Sequence, residues 1–155
     1  MSTQQKPAEM NGLDLDVLGG TVEAIRRDPE LGKARFRARN RWVGGARNHT
    51  TIGDFRAGGE EHEHKQAYEF DADEPPMLAG GDEAANPVEH LLDALAGCVT
   101  TSMVAHAAVR GIHIEELESE LEGDIDLRGF LGLAPDVPNT TTLQRLKRTY
   151  AATRC

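Results

Sequence analysis

The feature that most constrains the fold is a long apolar segment, residues 86–110, with no helix breaker after its first turn except Gly97. Asn86 is a favoured N-cap residue, Pro87 suits the first helical position, and Gly111 supplies a stop signal. The segment predicts a helix of about six to seven turns, about 36 Å long. Because it is rich in alanine and poor in charge, we expect burial on most sides, with a neighbouring backbone close to Gly97.

Composition limits the classes of function open to the chain. With 155 residues it has the size of one domain, and its net charge of -9 suits neither nucleic acids nor anionic membranes as partners. We expect no membrane span, because no apolar run approaches the required length of about 20 residues. The first ten residues lack an apolar signal region, so we expect a cytoplasmic protein.

The remaining segments predict an α+β domain over residues 13–133, in which a helix at 13–27 precedes an antiparallel β-meander. A disordered N-terminus, 1–12, precedes this domain. After Gly111 we expect a strand over roughly 115–126, with a helix as the alternative. Residues 134–155 form an atypical basic tail, carrying a net +3 in an otherwise acidic chain, and a short helix is expected at 143–152.

A basic strand face is predicted within the meander. Residues 33–43 alternate basic and smaller or apolar residues, which indicates a half-buried strand. The ordinary interpretation of such a face is a solvated exterior paired with acids. It is also a natural source of a guanidinium for a thiolate or an anionic ligand. The basic positions on this face are Lys33, Arg35, Arg37, Arg39 and Arg41.

Cys98, in the middle of the long helix, is the strongest candidate for chemistry. A free cysteine is usually a small buried hydrophobic residue, and a helix interior gives a thiolate no help from the helix dipole. Catalysis therefore requires a cation from elsewhere in the fold or from a partner chain. Glu89 lies nine residues earlier, on the opposite side of the helix. A capping role at the helix start also explains its presence.

Metal and cofactor chemistry is not predicted. His90, Cys98 and His106 do not share one face of the helix, so we expect no metal site there. His62 and His64 alternate with acids in a glycine-flanked loop, which favours a solvated segment. No cofactor-binding motif is present, so no cofactor is expected.

Four stretches resemble the OsmC/Ohr superfamily. The helix NPVEHLLDALAGCVTTSMVAHAAVRGI and the following EGDIDLRGFLGL carry the resemblance most strongly. The leader VEAIRRDPELGKARFRARNRWVGG and the loop DADEPPMLAG fit the branch with an N-terminal helix ahead of the meander. The similarity covers about residues 13–133.

The resemblance implies an intertwined homodimer with curved antiparallel sheets around a long buried central helix. It also implies an organic hydroperoxide reductase of oxidative-stress defence, in which Cys98 is the peroxidatic cysteine. The partners would be the hydroperoxide substrate and a dithiol reductant, such as a lipoylated protein. A family arginine and glutamate hold the thiolate and polarise the peroxide. Candidates for that arginine are Arg39, Arg41 and Arg47.

Several positions depart from the family pattern. The family glutamate falls on Val88, and Glu89 is only its neighbour. The resemblance also implies a second long helix, late in the chain, that carries a resolving cysteine. No segment here matches that helix, so no role is assigned to Cys155, and residues beyond about 136 are expected to be an altered or truncated end. The competing function is a non-catalytic OsmC-like protein that binds a small molecule or forms a structural dimer, with Cys98 structural.

The absent second helix has an energetic consequence. Exposing about 400 Å² of apolar surface costs about 10 kcal/mol, which is comparable to the stability of a whole domain. We therefore expect strong dependence on dimerisation, or poor solubility.

Overall fold

The computed structural model describes residues 8–138 and the backbone of residues 142–154. Helices and antiparallel strands occur together, so the protein is α+β, as predicted. The chain divides into two compact units: Asp14–Pro87, and Met1–Leu13 together with Val88–Cys155.

The unit Asp14–Pro87 opens with helix α1, Leu15–Arg27. Asp14 caps its start, because the Asp14 carboxylate accepts two backbone hydrogen bonds from the first turn, at 2.9 and 3.0 Å. The helix predicted over 13–27 thus starts two residues later, and the glycine pair Gly19–Gly20 does not interrupt it.

Three antiparallel strands form the sheet of this unit in the order β3–β4–β7. The strand predicted from residue 33 begins later, at Ala38, and only Arg35 makes an isolated bridge, to Arg56. The strand bounds are Ala38–Gly44 for β3, Arg47–Ile52 for β4 and Tyr68–Ala72 for β7.

A separate hairpin lies where the sequence predicts a loop, at 57–65. Its strands are β5, Phe55–Ala57, and β6, Glu60–His62. Gly58 and Gly59 join them with φ angles of 58° and 86°, and a two-residue hairpin turn requires such positive values. The glycine pair therefore forms the exposed turn of a hairpin.

The two faces of the β3–β4–β7 sheet differ chemically, because side chains alternate along each strand. Arg41, His49 and Asp71 form one cross-strand row. The opposite face carries Trp42 and Phe70, which are 74% and 44% exposed. The predicted basic face of β3 is thus balanced by carboxylates from β7.

Asp73 organises the loop that follows β7. It is 1% exposed, and its carboxylate accepts backbone N–H groups of Glu74 at 2.8 Å, Gly81 at 2.9 Å and Glu83 at 3.3 Å. The hydrogen bond from Glu74, with the other two, lowers the pKa of Asp73. Arg47 contacts Glu83 at 3.0 Å and ties this loop to the sheet.

The second unit contains the long helix and a two-stranded ribbon. Helix α2 spans Pro87–Ala108, within the predicted range 86–110. Strand β8, Ile112–Asp124, confirms the strand expected over roughly 115–126, begins three residues earlier and excludes the helical alternative. A short helix α3, Leu127–Phe130, follows, and strand β9, Thr142–Arg154, pairs antiparallel with β8.

The helix expected at 143–152 is therefore wrong, because this segment is part of β9. The register explains the preference for a strand, since it places Leu117 opposite Tyr150 and Leu121 opposite Leu146. Leu146 and Tyr150 are four positions apart, a spacing that fits one face of a strand and equally one face of a helix, so the pairing with β8 decides for the strand.

The charges of β8 and β9 complement each other. Glu120 lies opposite Lys147, and Glu122 lies opposite Arg145. Opposite charges at facing positions stabilise a strand pair. The change from an acidic to a basic segment, which predicted a separate tail, therefore coincides with two strands that pair with each other.

A hairpin occupies positions that were expected to be disordered, residues 8–12, while the first seven residues lie outside the described residues. Asn11 and Gly12 form its turn, with φ angles of 53° and 75°. Asn11 Nδ2 donates to Ile112 O at 2.9 Å, and Ile114 N donates to Asn11 Oδ1 at 3.0 Å. The hairpin strands are β1, Glu9–Met10, and β2, Leu13–Asp14.

The residues that the structure describes leave most of α2 unburied. Among the described residues of the helix only Ala108 is buried, and the start of β8 borders only the C-terminal half of the helix. By length and composition alone α2 would suit a membrane span, contrary to expectation, although a core helix of a soluble protein passes the same test. Two carboxylates, Glu89 and Asp93, interrupt its apolar character.

Candidate functional site

Cys98 is exposed on α2, about midway along the helix. In the described part of the chain, a Cβ added at the neighbouring Gly97 would meet no atom within 4 Å. The interpretation of Cys98 as a buried packing residue therefore does not hold for a single chain. The other cysteine, Cys155, lies outside the described residues.

The basic residues of its own helix, and of the turn that follows the helix, are far from Cys98. His90 and His106 each lie eight residues away, which is about 12 Å along the axis, and Arg110 lies about 18 Å away. Because a mid-helix position has no assistance from the dipole, a thiolate at Cys98 needs a cation from another segment or another chain.

The three predicted arginines lie in the unit Asp14–Pro87 and differ in availability. Arg47 is engaged with Glu83 at 3.0 Å. Arg41 lies near Asp71, whose pKa is lowered chiefly by its hydrogen bond with His49 and in small part by the charge of Arg41.

Arg39 is the most available of these arginines. It is exposed and makes no ion pair with any residue that the structure describes. It shares a face of β3 with Arg41, two positions along, and its facing residue on β4 is Thr51, which is neutral. No carboxylate of the described residues therefore binds its guanidinium, although Glu69 of β7 lies in the same cross-strand row.

Glu89 lies in the first turn of α2, where a carboxylate interacts favourably with the helix dipole. The nine residues between Glu89 and Cys98 correspond to about 13.5 Å along the axis and half a turn in rotation. The structure thus does not bring these two side chains together within one chain.

An apolar groove of about 460 Å³, absent from the sequence predictions, lies between the C-terminal half of α2 and the start of β8. We call it the α2–β8 groove. The spacing of its α2 residues shows in the sequence that they share one helix face. The sequence does not show that β8 lies beside that face. Its described lining comprises Ser102, Met103, His106, Ala107, Arg110, Ile112, Ile114 and Leu117.

The histidine-containing segment includes a hairpin, in which His62 ends β6 and His64 follows it, and most of its residues are exposed. His62 and His64 lie against the ring of Phe55, with centroid distances of 5.2 and 4.9 Å. Arg37 binds both oxygens of Glu61, at 2.7 and 2.9 Å, which raises the pKa of Arg37 and lowers that of Glu61. Within the described ranges, no group of three or more potential metal-ligating side chains is present.

Comparison with protein families identifies one matching segment, residues 80–153, whose family model is described as OsmC-like protein. This segment contains α2 with Cys98, and it extends past residue 133, where the sequence resemblance was expected to end. Comparison with curated proteins gave no match.

Proposed function

The chain is a member of the OsmC/Ohr superfamily through residues 80–153, and from this membership we propose that it is a thiol-dependent organic hydroperoxide reductase of oxidative-stress defence. The observation that carries the proposal is the position of Cys98, an exposed thiol on the helix that the family match includes. Within its own chain, no described residue covers the sulfur.

The reaction that we propose is a two-electron reduction of the peroxide. The Cys98 thiolate attacks the terminal oxygen of ROOH, an S–O bond forms, the O–O bond breaks, and the leaving alkoxide takes a proton to become ROH. One thiol of a dithiol donor then attacks the sulfenic sulfur and releases water. The second thiol of the donor resolves the mixed disulfide, which returns Cys98 to its thiol and oxidises the donor.

Thiolate stabilisation is assigned to Arg39, because it is exposed and has no ion pair with the described residues. Arg41 is the second candidate, and Arg47 is third because its pairing with Glu83 would have to break. A guanidinium within hydrogen-bonding distance favours an ionised thiol by direct charge attraction.

The assembly that we propose is an intertwined homodimer. Its support is the exposure of surfaces that a single chain leaves uncovered: α2 buries only Ala108, and Trp42 is 74% exposed. Apolar surface of this extent favours association by about 25 cal/mol per Å² covered. Glu89 acts, in this proposal, only on the Cys98 of the twin chain. A cytoplasmic location and a lipoylated protein as dithiol donor complete the proposal.

The test is turnover of cumene hydroperoxide by the full chain, with dithiothreitol as reductant. We expect activity in the wild type and none in Cys98→Ser, whereas Cys155→Ser serves as the matched control for loss of a thiol. Arg39→Ala is expected to lower kcat at least tenfold, and Arg39→Lys to restore part of it. Equal turnover by wild type and Cys98→Ser would remove the peroxidase proposal.

The non-catalytic alternative is favoured by one observation, the absence of a cation beside Cys98 among the described residues of its own helix. The rate of alkylation by iodoacetamide distinguishes the peroxidase from the non-catalytic alternative. A peroxidatic Cys98 is expected to react nearly as fast at pH 6 as at pH 8, because it is already ionised, whereas an inert thiol slows about tenfold for each pH unit.

A further inference from the structure

We propose that a polar cavity of the unit Asp14–Pro87 binds the phosphate group of a small phosphomonoester between Arg35 and Arg56. We call it the Arg35–Arg56 cavity. Its volume of about 440 Å³ falls within the range of about 300–1,000 Å³ that is usual for small-molecule sites. Its described lining contains neither a residue of α2 nor Trp42, the surfaces on which the dimer proposal rests. The inference needs no reaction at Cys98, so it does not rest on the peroxidase proposal.

The two arginines occupy facing positions. Arg35 and Arg56 form an antiparallel bridge, with backbone N–H···O bonds in both directions at 2.8 and 2.9 Å. Residues of such a pair have Cα atoms about 5.5 Å apart and direct their side chains to the same side. Like charges at facing positions destabilise the pairing, so an anion between them relieves a repulsion as well as adding an attraction. This favours a ligand with two negative charges over one with a single charge.

The acid that faces Arg56 is already bound by another arginine. Glu61 lies opposite Arg56 in the register of the hairpin, and Arg37 binds both of its carboxylate oxygens, at 2.7 and 2.9 Å. The pKa of Glu61 is lowered first by its hydrogen bonds with Arg37 and in smaller part by the charges of Arg56 and Arg35. Both guanidiniums of the cavity therefore lie close to Glu61, while its oxygens bond to Arg37.

Arg35 and Arg56 keep most of their hydrogen-bond donors. Neither has an ion pair with a described carboxylate, and the bond that Arg56 makes within the described residues, from Nη2 to Gly59 O at 3.2 Å, is to a neutral carbonyl. A guanidinium carries five N–H donors in a planar fork. A phosphate monoester has three acceptor oxygens and a charge of about −1.5 to −2 at pH 7, so one phosphate group can bond to both forks and neutralise both charges.

The carboxylates of the remaining lining have partners of their own. Lys33 Nζ donates to both oxygens of Glu30, at 2.6 and 2.7 Å, and Asp28 Oδ1 accepts the backbone N–H of Glu30 at 3.0 Å. A carboxylate offers about four acceptor sites, so Asp28 and Glu30 can still accept hydroxyl groups. The same negative charges repel a second phosphate. The ligand class is therefore a hydroxylated monophosphate, such as a sugar phosphate.

The test is calorimetric titration of the full chain with ribose 5-phosphate at fixed ionic strength. We expect saturable binding that weakens at least tenfold in Arg35→Gln and in Arg56→Gln, because each removes one of the two guanidiniums. Arg35→Lys keeps the charge but not the fork, and should bind with an affinity between those of Arg35→Gln and the wild type. Arg26→Gln, at an exposed arginine of α1 paired with Glu23, is the matched control and should bind as the wild type does. Binding that neither Arg35→Gln nor Arg56→Gln weakens would overturn the proposal.

Ligands that differ by one group test the proposal with the wild type alone, so it stays testable if a variant fails to fold. We expect ribose and acetate to bind at least tenfold more weakly than ribose 5-phosphate, because ribose has no charge and acetate has one. Inorganic phosphate should compete with ribose 5-phosphate. Failure of ribose 5-phosphate to bind the wild type, as expected if carboxylates of a twin chain fill the cavity, would overturn the proposal. Equal affinity for ribose and ribose 5-phosphate would overturn it as well.

Discussion

His49 Nδ1 lies 2.7 Å from Asp71 Oδ1, and the two residues face each other across strands β4 and β7. The same imidazole has its Nε2 3.9 Å from Glu69, on the same face of β7. The hydrogen bond with His49 holds the pKa of Asp71 below its usual value of 3.8, because it favours the ionised carboxylate. One side chain of β4 thus connects the basic face of β3 to the acidic face of β7.

Replacing Asp71 with Asn should destabilise the protein in a pH-dependent way. A lowered carboxyl pKa stabilises the fold fully above the unfolded-state value of 3.8, and this contribution disappears as the pH falls through the folded-state value. Thermal unfolding at pH 7, 5, 3 and 2 should show a gap between wild type and Asp71→Asn that is constant at the upper values and closes at the lower ones. A gap that does not change with pH would contradict this assignment. Glu63→Gln, an exposed carboxylate that makes no ion pair with the described residues, serves as the control.

Replacing Asn11 with Ala should lower the free energy of unfolding by about 1–3 kcal/mol. The substitution removes two hydrogen bonds to β8. It also places alanine at a φ angle of 53°, a value that asparagine tolerates better. Asn11→Gly accepts this φ angle but still lacks the bonds, so it separates the two effects. Urea denaturation measures both variants, and wild-type stability in Asn11→Gly would show that the bonds contribute nothing.

Replacing Gly97 with Ala tests the proposed dimer. Within a single chain the added Cβ meets no described atom within 4 Å, and alanine favours a helix by about 1 kcal/mol over glycine. Retention of glycine beside Cys98 is explained if a twin chain approaches there, so we expect Gly97→Ala to weaken the dimer in light scattering. Gly20→Ala, also unobstructed on α1, is the control and should leave association unchanged. A tighter or unchanged dimer in Gly97→Ala would argue against close approach at this position.

Reversing the charge of Glu120 should weaken the pairing of β8 with β9. Lys147 faces Glu120 in the register, and like charges at facing positions cost about 0.2–1 kcal/mol. Glu120→Lys and Lys147→Glu should each destabilise the fold, and the double variant should recover most of the loss. Additive losses in the double variant would mean that these two positions do not interact.

Local pattern was sufficient where an element's sequence carries its own signal. The α2 segment was predictable because its N-cap, proline and terminal glycine are local features, and the alternation of Arg39 and Arg41 with Asn40 and Trp42 indicated a strand. The N-terminal hairpin was missed because its ordering includes contacts from Asn11 to Ile112 and Ile114, about a hundred positions away.

Chemistry that joins distant segments was the least predictable. Cys98, Glu89 and the three arginines were recognisable as residue types, but which arginine is free depends on ion pairs such as that of Arg47 with Glu83. The α2–β8 groove likewise exists only because a strand lies beside a helix. The periodicity of neither element indicates that the two are neighbours.

By itself, the sequence determined the α+β class, the long helix and the thiol at its middle, since these follow from short-range propensity and residue identity. Only the tertiary structure decided that the basic tail is a strand facing acidic β8, that Cys98 is exposed on its own chain, and that Arg39 lacks an ion pair with the described residues. The physical reason is that strand pairing, exposure and charge neutralisation depend on which segments contact each other. The energy of such a contact belongs to both segments and cannot be derived from either one alone.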